Sequence, residues 1–455
     1  MTYRYRVATL FLAGFFIDCI NIFMSAIALP DISRQLHVSE SSVTWVANSY
    51  ILGLTLIILL STWIASHIGA RMTMMASMAV FSVGVLCAGL STEFSWLIIF
   101  RFLQGAGGGL LIPVGQALTF GLFQKNERSR ISTLIMAVAL IAPALSPAAG
   151  GVIVDNFSWR WVFLCNIPFS LLTAALAWWW IKAEKTTAQR PDLAGLALVS
   201  LALAALLMGM SLYADATNPA LPLGLVILGV IFSALYVRHY RRQPDAIVDL
   251  SVLSNPRMRF SVLVYYAVPG IFTGVNLLNI FFLQQVMGWS ASETGLLMVL
   301  YAAGSFCAMS ICGRLYNRVG AAKLFLLGLI CHAAGIALLS LVGADYGLPV
   351  LVLAYLLMGI GGGISANTAQ TTAMIDFTGE HLSRASTVWN LNRQMSFSVG
   401  AALFTLLFNQ LQQHTTTTSA YHTAFLIAAL LGLLPLLTLM SLNKQPESLC
   451  NQKEN

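Results

Sequence analysis

An all-α polytopic membrane protein is the fold class this sequence predicts: two six-helix bundles related by a pseudo-twofold, with two further helices inserted between them. Three observations predict it. Only 9% of the 455 residues are charged and 58% are hydrophobic, whereas a soluble domain carries roughly 25% charged residues. Apolar runs of about 20 residues, the length that crosses a bilayer core, recur from end to end. The basic residues gather in alternate loops between those runs.

The first six spans are expected at 8–29, 43–65, 71–90, 95–120, 131–154 and 161–181. Two more follow at 193–213 and 221–237, and the last six at 260–283, 294–313, 323–343, 349–374, 386–411 and 422–442. This divides the chain into an N-terminal bundle (1–182), an inserted helix pair (183–242), a linker (243–259), a C-terminal bundle (260–443) and a tail (444–455). Residues 1–7 run directly into the first span with no short signal core or cleavage site, so that span is expected to stay as an anchor.

Loop charge tests the count independently, because short cytoplasmic loops retain an excess of Lys and Arg. With the N-terminus inside, 20 of the 24 basic residues fall on the cytoplasmic side, among them Arg4, Arg6, Arg71, Lys125, Arg128, Arg130, Arg257, Arg314, Arg318 and Lys323. Only Arg34 and Arg160 fall outside, and Arg101 and Arg393 lie within spans. One missed helix would invert every later loop and destroy this bias. Both termini are therefore expected in the cytoplasm.

Several functions are disfavoured. The net charge of +7 is spread singly or in twos and threes at helix ends, which is not a nucleic-acid footprint. The seven cysteines have neither metal-ligand spacing nor an even disulfide count, and six lie in apolar segments, where they read as small fillers. No Gly-x-x-x-x-Gly-Lys loop and no room for a nucleotide-binding domain are present, so ATP hydrolysis on this chain is not expected. With no visible nucleophile–base pair or metal cluster, an enzyme is not expected either.

Two similar segments occupy equivalent places after the second and tenth spans: Ser61-Thr-Trp-Ile-Ala-Ser-His-Ile-Gly-Ala-Arg71 and Gly313-Arg-Leu-Tyr-Asn-Arg-Val-Gly-Ala-Ala-Lys323. Each places a glycine turn and a cation in a short loop, and repeated halves mark transporters that rock about a central site. Further motifs follow in order. The first span ends in Ala28-Leu29-Pro30, and the second opens with Trp45-Val46 and continues to Tyr50. The fourth carries Arg101-Phe-Leu-Gln104-Gly105-Ala-Gly107-Gly108-Gly109 and Pro113, and the fifth carries Ala142-Pro143-x-x-Ser146-Pro147-x-x-Gly150-Gly151. The sixth opens with Trp159-Arg160-Trp161-x-Phe163-x-x-Asn166-x-Pro168; Asp192 with Gly195, and Arg393-Gln394, complete the set. With these motifs the chain resembles the major facilitator superfamily, and within it the fourteen-helix drug:proton antiporter branch. That resemblance implies export of small amphipathic compounds by alternating access, driven by a proton gradient, with no other cofactor. It also implies a multi-pass protein of the bacterial cytoplasmic membrane whose partners are a small-molecule substrate and the lipid bilayer. A monomer suffices for that fold.

Charges inside a bilayer are costly and default to functional candidates. Asp18 lies about ten residues, or roughly 15 Å, into the first span, and Arg101 lies roughly 10 Å into the fourth. They are expected to approach across the N-terminal bundle, either as a proton-coupling pair or as a permanent ion pair. The resemblance places the usual acid of the first span where this chain has Asn21. The acid here is three residues earlier, on a neighbouring face and about 4.5 Å nearer the cytoplasm. The family's loop acid is likewise replaced by Ser66 and Asn317, and the first loop glycine by Thr62, which implies an altered latch on the cytoplasmic gate. Gly69, Arg71, Gly313, Arg318, Gly320 and Lys323 remain to form the turns.

Pro143 and Pro147 each remove a backbone donor, and Gly150 and Gly151 allow close helix approach. The resemblance links this bend to export; a packing kink is the alternative. Gln104 and Gly105 match the family's Arg-x-x-Gln-Gly pattern and are motif or gating candidates by that resemblance, while Gly105, Gly107, Gly108 and Gly109 read as a packing face. Asn21, Asn48, Tyr50, Asn276, Asn279, Asn367, Gln370 and Arg393 are candidates for the substrate cavity, with interhelical hydrogen bonding as the alternative. His332 is a core histidine or a proton relay. The sparse intramembrane acids favour a neutral or anionic substrate over a dication. A dedicated metabolite or siderophore exporter, and a non-transporting membrane sensor or scaffold, are the competing functions.

Overall fold

The computed structural model describes residues 2–38, 40–43, 45–124, 126–183, 192–215, 220–243, 246–289, 291–343 and 347–443. It has a helix at every expected span. In the N-terminal half these are α1 (Tyr3–Leu36), α2 (Trp45–Ile68), α3 (Ala70–Gly89), α4 (Phe94–Leu122), α5 (Arg128–Asn156) and α6 (Trp159–Trp180). The inserted pair is α7 (Leu193–Asp215) and α8 (Ala220–Tyr240). The C-terminal half has α9 (Pro256–Phe281), α10 (Ala291–Val319), α11 (Ala321–Leu339), α12 (Leu348–Met374), α13 (Gly379–Gln412) and α14 (Thr417–Leu439). Among the described residues, 12 helices are both long and apolar enough to cross a membrane. The two expected spans outside that number, α5 and α13, are helices of 29 and 34 residues. The expected tail 444–455, with Cys450, Lys444 and Lys453, lies outside the described residues, as do Lys125, Lys185 and Arg190.

In lipid, helices associate through close packing rather than through escape from water, so small residues mark the seams. A Cβ on Gly105 of α4 would sit 2.0 Å from the Tyr50 carbonyl oxygen of α2. The same seam recurs in the other half, where a Cβ on Gly359 of α12 would sit 2.3 Å from the Tyr301 carbonyl oxygen of α10. The outer faces carry the opposite composition: Trp179, Leu193 and Leu437 are 72%, 68% and 82% exposed. Apolar surface of this extent has a partner only in a bilayer.

The halves mirror each other at the loops as well. Gly69 and Gly320 precede α3 and α11 with φ/ψ of 84/154° and 85/154°, a left-handed φ that favours glycine. Their equivalence sets the register of the repeat: Thr62 corresponds to Gly313, and Ser66 to Asn317. Gly313 itself lies inside α10, where a Cβ would press 2.3 Å from the Thr133 hydroxyl of α5. It is an inter-half contact and not a turn residue.

The inserted pair packs upon itself, and α7 also touches α2 and α13, so it straddles the two halves. Asp192 starts α7 by accepting from the Gly195 amide at 2.8 Å and from His239 Nε2, near the end of α8, at 2.9 Å. The linker is pinned by Asp249, which accepts from the Ser251 amide and the Tyr240 hydroxyl, at 2.9 and 3.0 Å, and pairs with Arg384. Burial alone raises the Asp249 carboxyl, but these hydrogen bonds outweigh it and hold the group below the usual carboxylate range. The tie is therefore complete at neutral pH and is lost as pH falls through that lowered value.

Candidate functional site

The N-terminal and C-terminal halves meet at the end of the molecule that carries Arg71, Arg128 and Arg257, here called the basic end. Arg128 at the start of α5 donates to the Met374 and Phe377 carbonyls, at 2.7 and 2.9 Å, where α12 ends. The negative end of a helix dipole is a favourable seat for a cation. Ser129 donates to the Gly313 carbonyl at 2.9 Å, Thr62 meets Thr387 at 2.6 Å, and Ser386 donates to Gln116 at 3.1 Å. Asn390 also donates to Gln116, and Asn317 donates to the Asn126 carbonyl at 3.2 Å. The loop positions where the resemblance expects an acid thus work through neutral hydrogen bonds: Asn317 crosses to the other half, while Ser66 bonds within its own helix to Trp63. Arg71 stacks on Trp178 at 4.3 Å, and Arg318 and Lys323 are exposed.

Beyond this seal the halves part around a cavity of about 360 Å³. Its wall is aromatic and thioether-rich, with Phe15, Tyr265, Phe272, Tyr301, Phe397 and Met136 among its members. Two charged residues line it: Asp18 from α1 and Arg393 from α13. The cavity also meets Pro269, around which α9 takes a π-helical turn from Tyr266 to Gly270. Proline removes a helix donor, and such turns gather at functional sites.

Asp18 is 2% exposed and accepts a hydrogen bond from the Tyr50 hydroxyl. Space for this pair comes from Gly108, since a Cβ there would collide with Asp18 Oδ1 and lie 3.1 Å from the Tyr50 oxygen. Asp18 and Arg101 do not form the expected ion pair among the described residues. Tyr50 stands between them, its hydroxyl on Asp18 and its ring 4.4 Å from the Arg101 guanidinium carbon. Arg101 is fully buried and has its own partners. Nε donates to the Val46 carbonyl at 2.9 Å, and one terminal nitrogen donates to Asn21 at 2.7 Å and to Gln104 at 2.8 Å. The other terminal nitrogen donates to Ser25 at 3.0 Å, and the ring of Phe163 lies 5.2 Å away. Residues 18, 21 and 25 share one face of α1 by helical spacing. The position where the resemblance expects an acid, Asn21, therefore holds the arginine as a neutral acceptor.

Arg393 differs. It is 7% exposed, lies 4.9 Å from the Phe15 ring, and enters no ion pair among the described residues; its buried Nε has no hydrogen-bond partner there.

The other sequence candidates are distributed as follows. Asn276 lines the cavity and accepts from the Tyr355 hydroxyl at 3.1 Å, while Asn279, behind it, donates to the same hydroxyl at 2.8 Å. Asn367 donates to Thr133 across the halves at 3.3 Å, and Gln370 accepts from the Trp389 indole at 2.8 Å. Asn48 is partly exposed on α2, outside the cavity wall. Pro143, Pro147, Gly150 and Gly151 fall within the single helix α5; Gly150 is buried, and the side chains of Pro143 and Pro147 lie outside the described residues. His332 is buried behind the cavity, edge-on to Phe272 at 6.3 Å, and neither ring nitrogen has a partner among the described residues.

Tyr301 and Tyr355 were not among the sequence candidates, though a signal for them exists. Gly105-Ala106-Gly107-Gly108-Gly109 of α4 recurs as Gly359-Ile360-Gly361-Gly362-Gly363 of α12. Aligning these runs superposes Arg101 on Tyr355, and the matching seams superpose Tyr50 on Tyr301 and Phe81 on His332. Asp18 and Asn21 then correspond to Asn276 and Asn279, which bond Tyr355 as Asn21 bonds Arg101. One half keeps the charges, and the other holds their neutral counterparts.

Comparison with known proteins gives the same architecture. The family model described as Major Facilitator Superfamily matches residues 11–401, with a further match over 260–454. A Citrobacter koseri protein named as multidrug resistance protein MdtD is 28% identical over 91% of this chain and 88% of its own length. A Mycobacterium tuberculosis protein named as a multidrug resistance protein B homolog is 30% identical over 83% of this chain and 71% of its own. Two solved structures share the fold. The human organic anion transporter MFSD10 has a TM-score of 0.71 at 14% identity, over 96% of this chain and 100% of that one. The proton:xylose symporter XylE has a TM-score of 0.67 at 12% identity, over 96% and 95%. With both halves matched and the motifs of α1, α2, α4, α5 and α6 in order, this chain belongs to the Major Facilitator Superfamily.

Proposed function

We propose that this protein exports small amphipathic compounds from the cytoplasm in exchange for protons, with Asp18 as the proton-carrying group. The observation that carries this reading is a buried carboxylate, held by Tyr50, in the wall of an aromatic cavity between two halves that are sealed against each other at the basic end. Names of the multidrug-resistance relatives support efflux; proton exchange and the chemistry of the cargo rest on the cavity. By the loop-charge rule the basic end is cytoplasmic, so the conformation described is closed toward the cytoplasm. A substrate released outward leaves Asp18 open to a proton. Reopening at the basic end breaks the Arg128, Ser129 and Thr62 contacts and returns the proton inside. No cofactor beyond the proton gradient is required, and one chain suffices.

The test is efflux of a fluorescent dye panel from energised bacterial cells, comparing wild type, Asp18→Asn and wild type with a protonophore. Proton exchange at Asp18 predicts loss of efflux in both of the latter with expression unchanged. Efflux that survives Asp18→Asn yet fails with protonophore moves the coupling group elsewhere. A panel in which no dye is moved favours a dedicated metabolite or siderophore exporter, or a membrane sensor without transport.

A further inference from the structure

Asp18 and Arg393 face one cavity from opposite halves and do not meet as an ion pair among the described residues. Their environments explain why they stay apart. On α13, Ser386, Asn390, Arg393 and Phe397 recur at helical spacing and share the face turned toward the N-terminal half. Ser386 and Asn390 close against Gln116 of α4, and Arg393, one turn further on, is the first of them to border the cavity. Its flat neighbour there is Phe15, and its Nε is buried with no acceptor among the described residues. An unpaired buried guanidinium is unfavourable unless an anion reaches it, and its planar fork suits a carboxylate. Asp18 presents the opposite sign, one helical turn along α1 from Phe15.

Resting on the antiport reading above, we infer that the preferred substrate is an aromatic zwitterion that bridges the halves, its anionic group on Arg393 and its cationic group on Asp18. The cavity fits such a molecule. Its volume of about 360 Å³ lies at the small end of the drug-sized range, and Phe15, Tyr265, Phe272 and Tyr301 supply flat apolar walls. The arrangement also explains exchange. A proton and the substrate's ammonium compete for the same carboxylate, so one is released as the other binds. An anion alone leaves the proton on Asp18 undisturbed, and a cation alone leaves Arg393 unpaired. The charged and titratable groups around Asp18 are Tyr50 from α2, Arg101 from α4, Arg393 from α13 and Cys19 on α1. Only Arg393 and Cys19 among these border the cavity with it.

The experiment uses the purified full chain in detergent and four probes built on one naphthyl amino acid: the free zwitterion, its methyl ester (cation), its N-acetyl form (anion) and the N-acetyl amide (neutral). Binding is measured by calorimetry. The expected result is that removing either charge weakens binding at least about tenfold, the size of one charge-assisted hydrogen bond. In Arg393→Gln the zwitterion and the ester should bind alike; in Asp18→Asn the zwitterion and the N-acetyl form should. Wild-type affinity for the zwitterion should weaken as pH falls, and Asp18→Asn should remove that dependence. Arg393→Lys keeps the charge without the fork and should retain part of the preference. An ester or N-acetyl form that binds wild type as well as the zwitterion overturns the inference without use of any variant. So does a zwitterion preference that persists in a folded Arg393→Gln. Dye efflux stands apart from these readouts: its presence with no zwitterion preference defeats this substrate class alone, whereas efflux that a protonophore leaves intact defeats the antiport reading beneath it.

Discussion

The two membrane-buried arginines are a controlled comparison. Arg101 is fully enclosed, with four hydrogen bonds to Val46, Asn21, Gln104 and Ser25 and two aromatic rings beside it. Arg393 is almost as buried, yet it borders the cavity with one aromatic neighbour and an Nε without a partner among the described residues. Similar burial with opposite satisfaction separates two uses of a charge. A cation whose donors are met by its own chain fixes helices; one that borders a cavity with a buried donor unmet is available to a ligand. The neutral counterpart of Arg101 in the second half, Tyr355, underlines the point, because the same structural role is filled there without charge.

The comparison breaks most visibly at Arg101. Arg101→Leu leaves the Val46 carbonyl, Asn21, Gln104 and Ser25 without their donor, and each buried polar group left unsatisfied costs about 1–3 kcal/mol. The expected outcome is loss of folded protein, read as a collapsed monodisperse peak in detergent chromatography. Gly108→Ala is next. The added methyl collides with Asp18 Oδ1, and overpacking of this sort costs about 1–3 kcal/mol. The protein should fold, and dye efflux should fall steeply because the Asp18–Tyr50 pair is displaced. Arg128 sharpens the contrast as a third case, a cation whose acceptors belong to the opposite half. Arg128→Gln removes two hydrogen bonds to the end of α12, worth about 1–2 kcal/mol together. That favours opening at the basic end by roughly tenfold, which a cysteine placed at Thr62 should report as faster alkylation.

Much of the fold is legible in the sequence, because apolar runs and loop charge are one-dimensional signals. The least apolar span, α13, shows where they weaken: Ser386, Asn390 and Arg393 make one face polar, and that face seals against or borders the other half rather than facing lipid. The site is legible only in part. Asp18 and Arg101 stand out as charges within apolar runs, but their partners depend on helix rotation, which packing fixes. Hence Asn21 turns to Arg101, and Tyr50 rather than Arg101 meets Asp18. Tyr301 and Tyr355 emerge only when the two glycine runs are aligned, and the missing partner of Arg393 has no sequence signature at all.

The most direct measurement is a paired one, melting temperature and probe selectivity of Arg101→Gln and Arg393→Gln in the same detergent. If Arg101 is architecture and Arg393 is kept for a ligand, Arg101→Gln should unfold at much lower temperature. Arg393→Gln should then melt within about 1 kcal/mol of wild type, as expected where no partner is lost, and should bind the zwitterion no better than its ester. An Arg393→Gln protein that is as unstable as Arg101→Gln, or stable with its zwitterion preference intact, would contradict the account.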